Sequence, residues 1–180
     1  MNSRTERKNK SRERILRTAA KLFRKEGISA TGVDKIMSKA GLTAGGFYSH
    51  FKSKDELVAL SLSSALGAFK EKLETAFILE HYLSARHRDQ PESGCVIAAL
   101  ASELPKQSRK TRDFLVRHLE GRVLDLEKRG LPRDQAIRSI STSIGSLILS
   151  RIAKGTRMSD EILRAGKKAH ERKYRQPKTD

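Results

Sequence analysis

Thr31–Phe51, TGVDKIMSKAGLTAGGFYSHF, is the stretch whose reading decides the fold. Val33, Ile36, Met37 and Ala40 recur at helical spacing, and Thr31 with Asp34 three residues on gives an N-cap pattern, a side-chain oxygen accepting from a free backbone N–H. Gly41 breaks that helix, because a glycine can take the positive φ of a tight turn, and Leu42 follows as an apolar plug. Thr43 is the next N-cap. From it a second helix, AGGFYSHF, sets Phe47 and Phe51 four residues apart to face inward, while Ala44, Gly45, Tyr48 and Ser49 look outward. Two helices joined in this way make a helix-turn-helix. The N-terminal residues of its second helix meet base edges in a major groove, and small side chains there let the backbone come close. Helix pairs joined by Ala-Gly-Leu also occur in all-α proteins that bind no DNA, so charge and context have to discriminate.

The chain has 180 residues, one domain or two small ones, with 38 Lys and Arg against 21 Asp and Glu and a formal charge of +17. Such a balance, with an isoelectric point near 10.4, fits a polyanionic partner such as DNA, RNA or an acidic membrane surface; a merely solvated basic surface is the plainer alternative. The single cysteine, Cys95, excludes an intramolecular disulfide framework and gives no support for a thiolate zinc site. There is no secretory apolar segment at the start and no apolar run approaching the roughly 18 residues of a membrane span, so the chain is expected in the cytoplasm, away from membranes. No phosphate-binding glycine loop, H-E-x-x-H, nucleophile elbow or motif-placed carboxylate pair is present. The expectation is a protein that is not an enzyme, with no catalytic residue, metal or cofactor.

Outward from the helix pair, residues 1–10, MNSRTERKNK, read as a basic flexible arm that could follow phosphates or serve only as a solubilising tail. Ser11 is placed as the N-cap of a first helix, whose stripe Ile15, Leu16, Ala19, Leu22 and Phe23 runs to Gly27, with Arg12, Arg14, Arg17, Lys21, Arg24 and Lys25 opposite. This helix and the pair make a three-helix unit over residues 11–56. Beyond it, Ser53 and Glu56 have capping-box spacing, and Leu57, Leu60, Leu62, Leu66, Phe69, Leu73 and Phe77 continue a connector helix of roughly 20 residues or more. It is predicted to lead into a second, all-α domain over 57–172, followed by a basic tail at 173–180.

RILRTAAKLFRKEG followed by ATGVDKIMSKAGLTAGGFYSHFKSKDEL resembles the N-terminal domain of the TetR/AcrR family of bacterial transcriptional regulators, over about residues 11–60. The pieces A-x-x-L-F, the glycine after helix one, G-L-T, F-Y-x-H-F and K-S-K-D-E-L are individually weak, but their order and spacing agree. The resemblance implies an all-α homodimer that binds a double-stranded palindromic operator and releases it when a small molecule enters a C-terminal ligand-binding and dimerisation domain, most commonly as a repressor. By motif position it implies that Thr31 and Thr43 cap their helices and touch phosphates. It further implies that Ala44, Gly45 and Gly46 approach bases, that Tyr48 and His50 contact backbone or base edges, and that Lys54 grips a phosphate. The departure is at Ala44 and Gly46, where many members carry a lysine and a larger residue. Readout here is therefore expected to rest more on backbone approach and DNA shape.

Further along, Pro91, Ser93 and Gly94 mark a loop, Val96–Leu104 an apolar helix stopped by Pro105, and residues 111–130 a helix carrying Phe114, Leu115, Leu119, Val123, Leu124 and Leu126. Residues 132–153 carry a broad stripe, Ile137, Ile140, Ile144, Leu147, Ile148 and Ile152, interrupted only by Ser141, Gly145 and Ser150; a last helix covers Ser159–His170. The stripe looks like the family's dimer interface, though it could instead close the core of one chain. His81, Tyr82, Cys95 and His118, with His87, could line a ligand pocket, and their spacings make no metal site. GCVIAALASEL resembles a subgroup with a glycine-cysteine pair at a helix start beside the ligand cavity. Cys95 near Arg86 and Arg88 could there sense redox state or electrophiles, or be a small buried hydrophobe. The rival to the whole reading is a sequence-independent, nucleoid-type nucleic-acid binder, for which the high charge alone argues.

Overall fold

The computed structural model describes residues 3–70 and 81–174, and among them there are helices and turns but no strand. The α-helices are α1 Ser3–Glu26, α2 Val33–Lys39, α3 Lys54–Lys70, α4 Ala85–Asp89, α5 Val96–Leu100, α6 Arg109–Glu127, α7 Arg133–Ile152 and α8 Arg157–Tyr174. Short 3₁₀ helices occupy Ala44–Ser49, Pro91–Ser93 and Leu104–Lys106. The chain divides into two compact units, Met1–Glu71 with Glu92–Phe114, and Lys72–Pro91 with Leu115–Asp180.

In the first unit, α1 lays Ile15, Ala19 and Phe23 into a core shared with Ile36 and Met37 of α2, Phe47 and Phe51, and Leu57, Val58 and Leu62 of α3. The helix does not start at Ser11. It runs back to Ser3 through residues read as a flexible arm, because residues 3–26 contain neither glycine nor proline, are rich in Arg, Lys and Glu, and place Glu6 in the first turn where the helix dipole favours it. Gly27 ends α1 at φ +94°, its N–H bonded to the Phe23 carbonyl at 2.8 Å, as a C′ glycine does. The boundary expected at residue 56 also moves. α3 is fastened to α1 along Leu57, Val58 and Leu62, and α5 packs on both, so residues 57–71 and 92–114 belong with the helix-turn-helix. The predicted continuation of α3 through Leu73 and Phe77 and the tail beyond Tyr174 lie outside the described residues, as does the side chain of Phe69.

In the second unit α7 and α8 pack along their length. Ala136, Ser139, Ser143, Leu147 and Ser150 form a narrow buried row on α7, in which the three serines meet α8 and Ala136 joins Val123, Leu126 and Leu131. Approach is close at Gly166, where a Cβ would come within 2.7 Å of Ser146 Oγ. Buried His170 of α8 stands between two hydroxyls, with Nδ1 2.9 Å from Ser139 Oγ and Nε2 2.8 Å from Ser143 Oγ. At the other end Arg88 joins α4 to α8, donating to Ser159 Oγ at 2.8 Å and to Asp160 at 2.7 Å, and Arg151 of α7 donates to the His87 carbonyl at 2.9 Å. Arg88 holds the Asp89 carboxyl down to about 2. Gly130, at φ +90°, closes α6.

Phe47 is almost completely buried although it sits in a short segment beside two glycines. Phe47→Ala is expected to cost about 3–5 kcal/mol, read as a lower urea midpoint for the transition that carries the first unit.

Candidate nucleic-acid interface

The site begins in the loop after α1. Positive φ at Gly27 turns the chain, and the next backbone groups find partners from distant elements. The Glu103 carboxylate accepts from Ile28 N–H at 3.0 Å and from both Ser29 N–H and Ser29 Oγ at 2.8 Å. Lys54 Nζ donates to the Ile28 carbonyl at 2.8 Å. Arg24, half-buried near Cys95, donates from Nε at 2.8 Å and from Nη2 to the Glu92 carbonyl. Burial would raise the Glu103 carboxyl, but the hydrogen bonds from Ser29 and Ile28 and the Lys106 charge outweigh it and hold the group below its ordinary value.

Thr31 does not cap α2. Gly32 occupies that position, and Thr31 is fully buried, its hydroxyl donating to the Gly27 carbonyl at 2.6 Å, so its side chain cannot meet a phosphate in this conformation. The hydroxyl serves the preceding turn because the loop, not the helix, leaves the nearer open acceptor. α2 ends at Ala40, and Gly41 turns the chain at φ +66°.

The second helix of the pair is a 3₁₀ segment, Ala44–Ser49, rather than an α-helix. Its bonds are the i to i+3 kind: Gly46 N–H to the Thr43 carbonyl at 3.1 Å and His50 N–H to the Phe47 carbonyl at 2.9 Å. Two adjacent glycines, each roughly 1 kcal/mol poorer than alanine in an α-helix, explain the tighter, shorter form. Thr43 is extended and exposed, with no side-chain cap bond. Phe47 points in and Tyr48 points out at 78% exposure, with Ala44 and Gly45 on the same open side. Gly45 has open space where a Cβ would project, whereas one on Gly46 would touch Met37 Cε and Thr43 Oγ1 at 3.7 Å.

What fastens this segment is aromatic. Phe47 stacks on Phe51 with centroids 5.6 Å apart, and the Arg12 guanidinium lies 4.4 Å over the Phe51 ring. Arg12 also donates to the His50 carbonyl and stands 3.8 Å from Glu56. Glu56 accepts from Lys52 N–H at 2.6 Å while its own N–H donates to Ser53 Oγ at 3.1 Å, the expected capping box with its return arm shifted one residue. Half-buried His50 has its pKa lowered, first by desolvation and then by the Lys8 and Arg12 charges, so it is neutral at pH 7. Its Nδ1 has no hydrogen-bond partner among the described residues.

Sequence reasoning therefore brought together Ala44, Gly45, Gly46, Tyr48 and His50, with Lys54 at the neighbouring helix start but turned to a carbonyl. It missed Arg12 and Glu103. Arg12 does not lie opposite the apolar stripe as expected but in register with Ile15 and Ala19, half-buried over Phe51, and that register was the available signal; nothing marked Glu103, which lies 75 residues from Ile28. The suggested pocket is not assembled within one unit: Cys95 is buried in the first, whereas exposed His81, buried Tyr82 and half-buried His118 belong to the second. Tyr82 meets instead His87, whose ring is 4.7 Å away and whose Nδ1 lies 2.7 Å from the Tyr82 carbonyl. No group of three or more His, Cys, Asp or Glu among the described residues could hold a metal ion, and no described helix is long and apolar enough to cross a membrane.

Residues 15–60 match the family profile described as bacterial regulatory proteins, tetR family. The chain is 38% identical over 66 residues to the uncharacterized HTH-type transcriptional regulator YerO of Bacillus subtilis, covering 37% of this chain and 23% of that protein. It is also 38% identical over 69 residues to the HTH-type transcriptional repressor KstR2 of Mycolicibacterium smegmatis, 36% of this chain and 34% of that one. It thus spans about a quarter to a third of the length of these relatives, which are named as transcriptional regulators rather than enzymes. A TetR transcriptional regulator from Chloroflexus aurantiacus superposes with a TM-score of 0.74 at 22% identity, over 94% of this chain and 97% of that one, which shows a shared fold through both units.

Because the carboxyl of Glu103 titrates below its unfolded value, its stabilisation is fully present above the ordinary carboxylate pKa of about 4.3 and is lost as the pH falls through the lower, folded value. Glu103→Gln is expected to be less stable than the parent at pH 7 and to show a smaller loss on acidification from pH 5 to 3, measured by urea denaturation across that range.

Proposed function

We propose that this chain is a member of the TetR/AcrR family of transcriptional regulators, a cytoplasmic repressor which binds a palindromic operator as a homodimer and releases it on binding a small molecule. The observation that carries the DNA reading is the outward row Ala44, Gly45 and Tyr48, held rigid from behind by Phe47 and Phe51, in a chain of charge +17. Backbone at Ala44–Gly45 approaches base edges, where bulkier side chains would hold it off. Tyr48 supplies a long polar reach to a base edge or phosphate, and exposed Thr43 and neutral His50 flank it. Lys54 answers for a phosphate only by leaving the Ile28 carbonyl, so its contribution is smaller than that of Tyr48.

Dimerisation is carried by α7. Its buried row is small and mostly polar, and the open isoleucines lie elsewhere: Ile137 and Ile152 are exposed at 46% and 77% and Ile144 and Ile148 are half-buried, whereas half-buried Ile140 packs against Val123, Leu126, Leu131 and Ala136 of its own chain. Leu147 must be withdrawn from that stripe, since it is fully buried against its own chain in phase with Ala136, Ser143 and Ser150. An apolar helix face left open on one chain is what a second copy would cover, and two copies would supply the pair of reading elements that a palindrome requires. Effector binding then acts by changing the separation of those elements.

Selection from random DNA at about 150 mM salt should return a palindrome whose binding falls by an order of magnitude or more in Tyr48→Ala and by less in Lys54→Ala; affinity that tracks salt alone, with no selected sequence, would favour the nucleoid-type reading. Ile152→Asp should shift the chain toward monomer in analytical ultracentrifugation without unfolding it, whereas Leu147→Ala should lower stability by about 2–5 kcal/mol.

A further inference from the structure

The N-terminal two turns of α1 lie outside the match to the family profile, which begins at residue 15. The core face of α1 is marked by Ile15, Ala19 and Phe23, all fully buried. Three residues before Ile15 that face carries Arg12, and from there, in four-residue steps, Lys8 and Arg4. Arg12 is the last of these that the unit covers: it is half-buried over Phe51, bonded to the His50 carbonyl and close to Glu56. Lys8 and Arg4, one and two turns further, are exposed, because the core beneath them has ended. They therefore do not point to the far side of the helix, as Arg14, Arg17 and Lys21 do. Lys8 is near enough to His50, where the 44–49 segment finishes, for its charge to be felt there, and Arg4 lies one turn further along the same face.

We infer that Arg4 and Lys8 form an accessory phosphate-binding column, which extends the operator contact of the same chain onto DNA flanking the half-site. This rests on the regulator reading above and deepens it. Three observations support the choice of DNA phosphates as occupant. The column belongs to the same unit as the outward row Ala44, Gly45 and Tyr48, and its Lys8 charge is felt at His50, which follows that row. It is held in a helix, so its cations are presented without the ordering cost of a loose arm. From Arg4 to Lys8 it spans about 6 Å at 1.5 Å per residue, commensurate with two phosphates at roughly 3.4 Å of axis each on one strand.

The experiment is a salt titration of affinity for the selected palindrome, on duplexes that end at the half-sites and on duplexes with about ten further base pairs at each end. The chains compared are wild type, Arg4→Ala/Lys8→Ala, the charge-preserving Arg4→Lys/Lys8→Arg, and Arg17→Ala/Lys21→Ala on the far face. Two lost contacts on each of two protomers should make the logarithmic slope shallower by about 3.6, at about 0.9 per phosphate, on the long duplex alone. The charge-preserving variant should keep the wild-type slope, and far-ultraviolet circular dichroism should show the helix intact in all four. The inference is overturned if the Arg4/Lys8 variant keeps the wild-type slope on the long duplex, if the effect is independent of flank length, or if the far-face variant loses as much. If no palindrome is selected at all, it is the regulator reading that falls, and this one with it.

Discussion

A six-residue 3₁₀ segment with two adjacent glycines cannot hold itself together in water: it is far below the length at which helices are stable alone, and its backbone is of the most pliable composition. Its geometry is imposed from behind. Phe47 and Phe51 are buried to 1% and 2% exposure, and the cation of Arg12 closes over the second ring while bonding the backbone that links them. Every outward position depends on that inward one. Tyr48 can be fully exposed and still well placed because its neighbour is fixed, the two rings meeting edge-on at 5.2 Å. Softness on the outside and anchorage on the inside are thus properties of the same few residues.

The loop that feeds the helix pair is governed differently, by electrostatics and backbone accounting. Gly27 takes a conformation that an L side chain would strain, and a Cβ there would also meet Glu103 Oε1 at 2.6 Å. The close approach lets one carboxylate satisfy two backbone N–H groups and a hydroxyl, while Lys54 takes the facing carbonyl. A surface loop is thereby tied to two elements from elsewhere in the chain. This is why residues 92–114 fold with the helix-turn-helix although they are distant in sequence.

Periodic apolar stripes and positive-φ glycines were legible from sequence, which is why α1, α2, α7 and the turns at Gly27, Gly41 and Gly130 lie where the pattern put them. Capping residues misled at both ends of the first helix pair. Ser11 and Thr31 are good caps in isolation, but charged helix formers carried α1 past the first, and a nearer acceptor at Gly27 captured the second. The 44–49 segment showed its inward and outward residues correctly and its helix type wrongly, since residue spacing does not distinguish i to i+3 from i to i+4 bonding over six residues. Arg12 was assigned with the other cations to the outer face, although its three-residue offset from Ile15 puts it on the core side. Glu103 was not legible, because only the tertiary fold says which backbone groups a remote carboxylate will meet.

The same limit explains α7. A stripe of isoleucines wide enough for either purpose says that a face will be covered, not by what. The intrachain side is resolved by the residues that looked like mere spacers: Ser139, Ser143 and Ser150 are buried, two of them bonded to His170 and the third donating to the Leu147 carbonyl 2.8 Å away while its own carbonyl accepts from Ser159. Small polar groups whose bonds are satisfied pack two helices close without demanding apolar bulk. The bulk is consequently free for the other side. Had the isoleucines and serines exchanged faces, one chain would have closed its own core and presented water with hydroxyls. As built, the helix turns its serines inward with Ala136 and Leu147 and leaves Ile137, Leu149 and Ile152 where only another apolar surface would cover them.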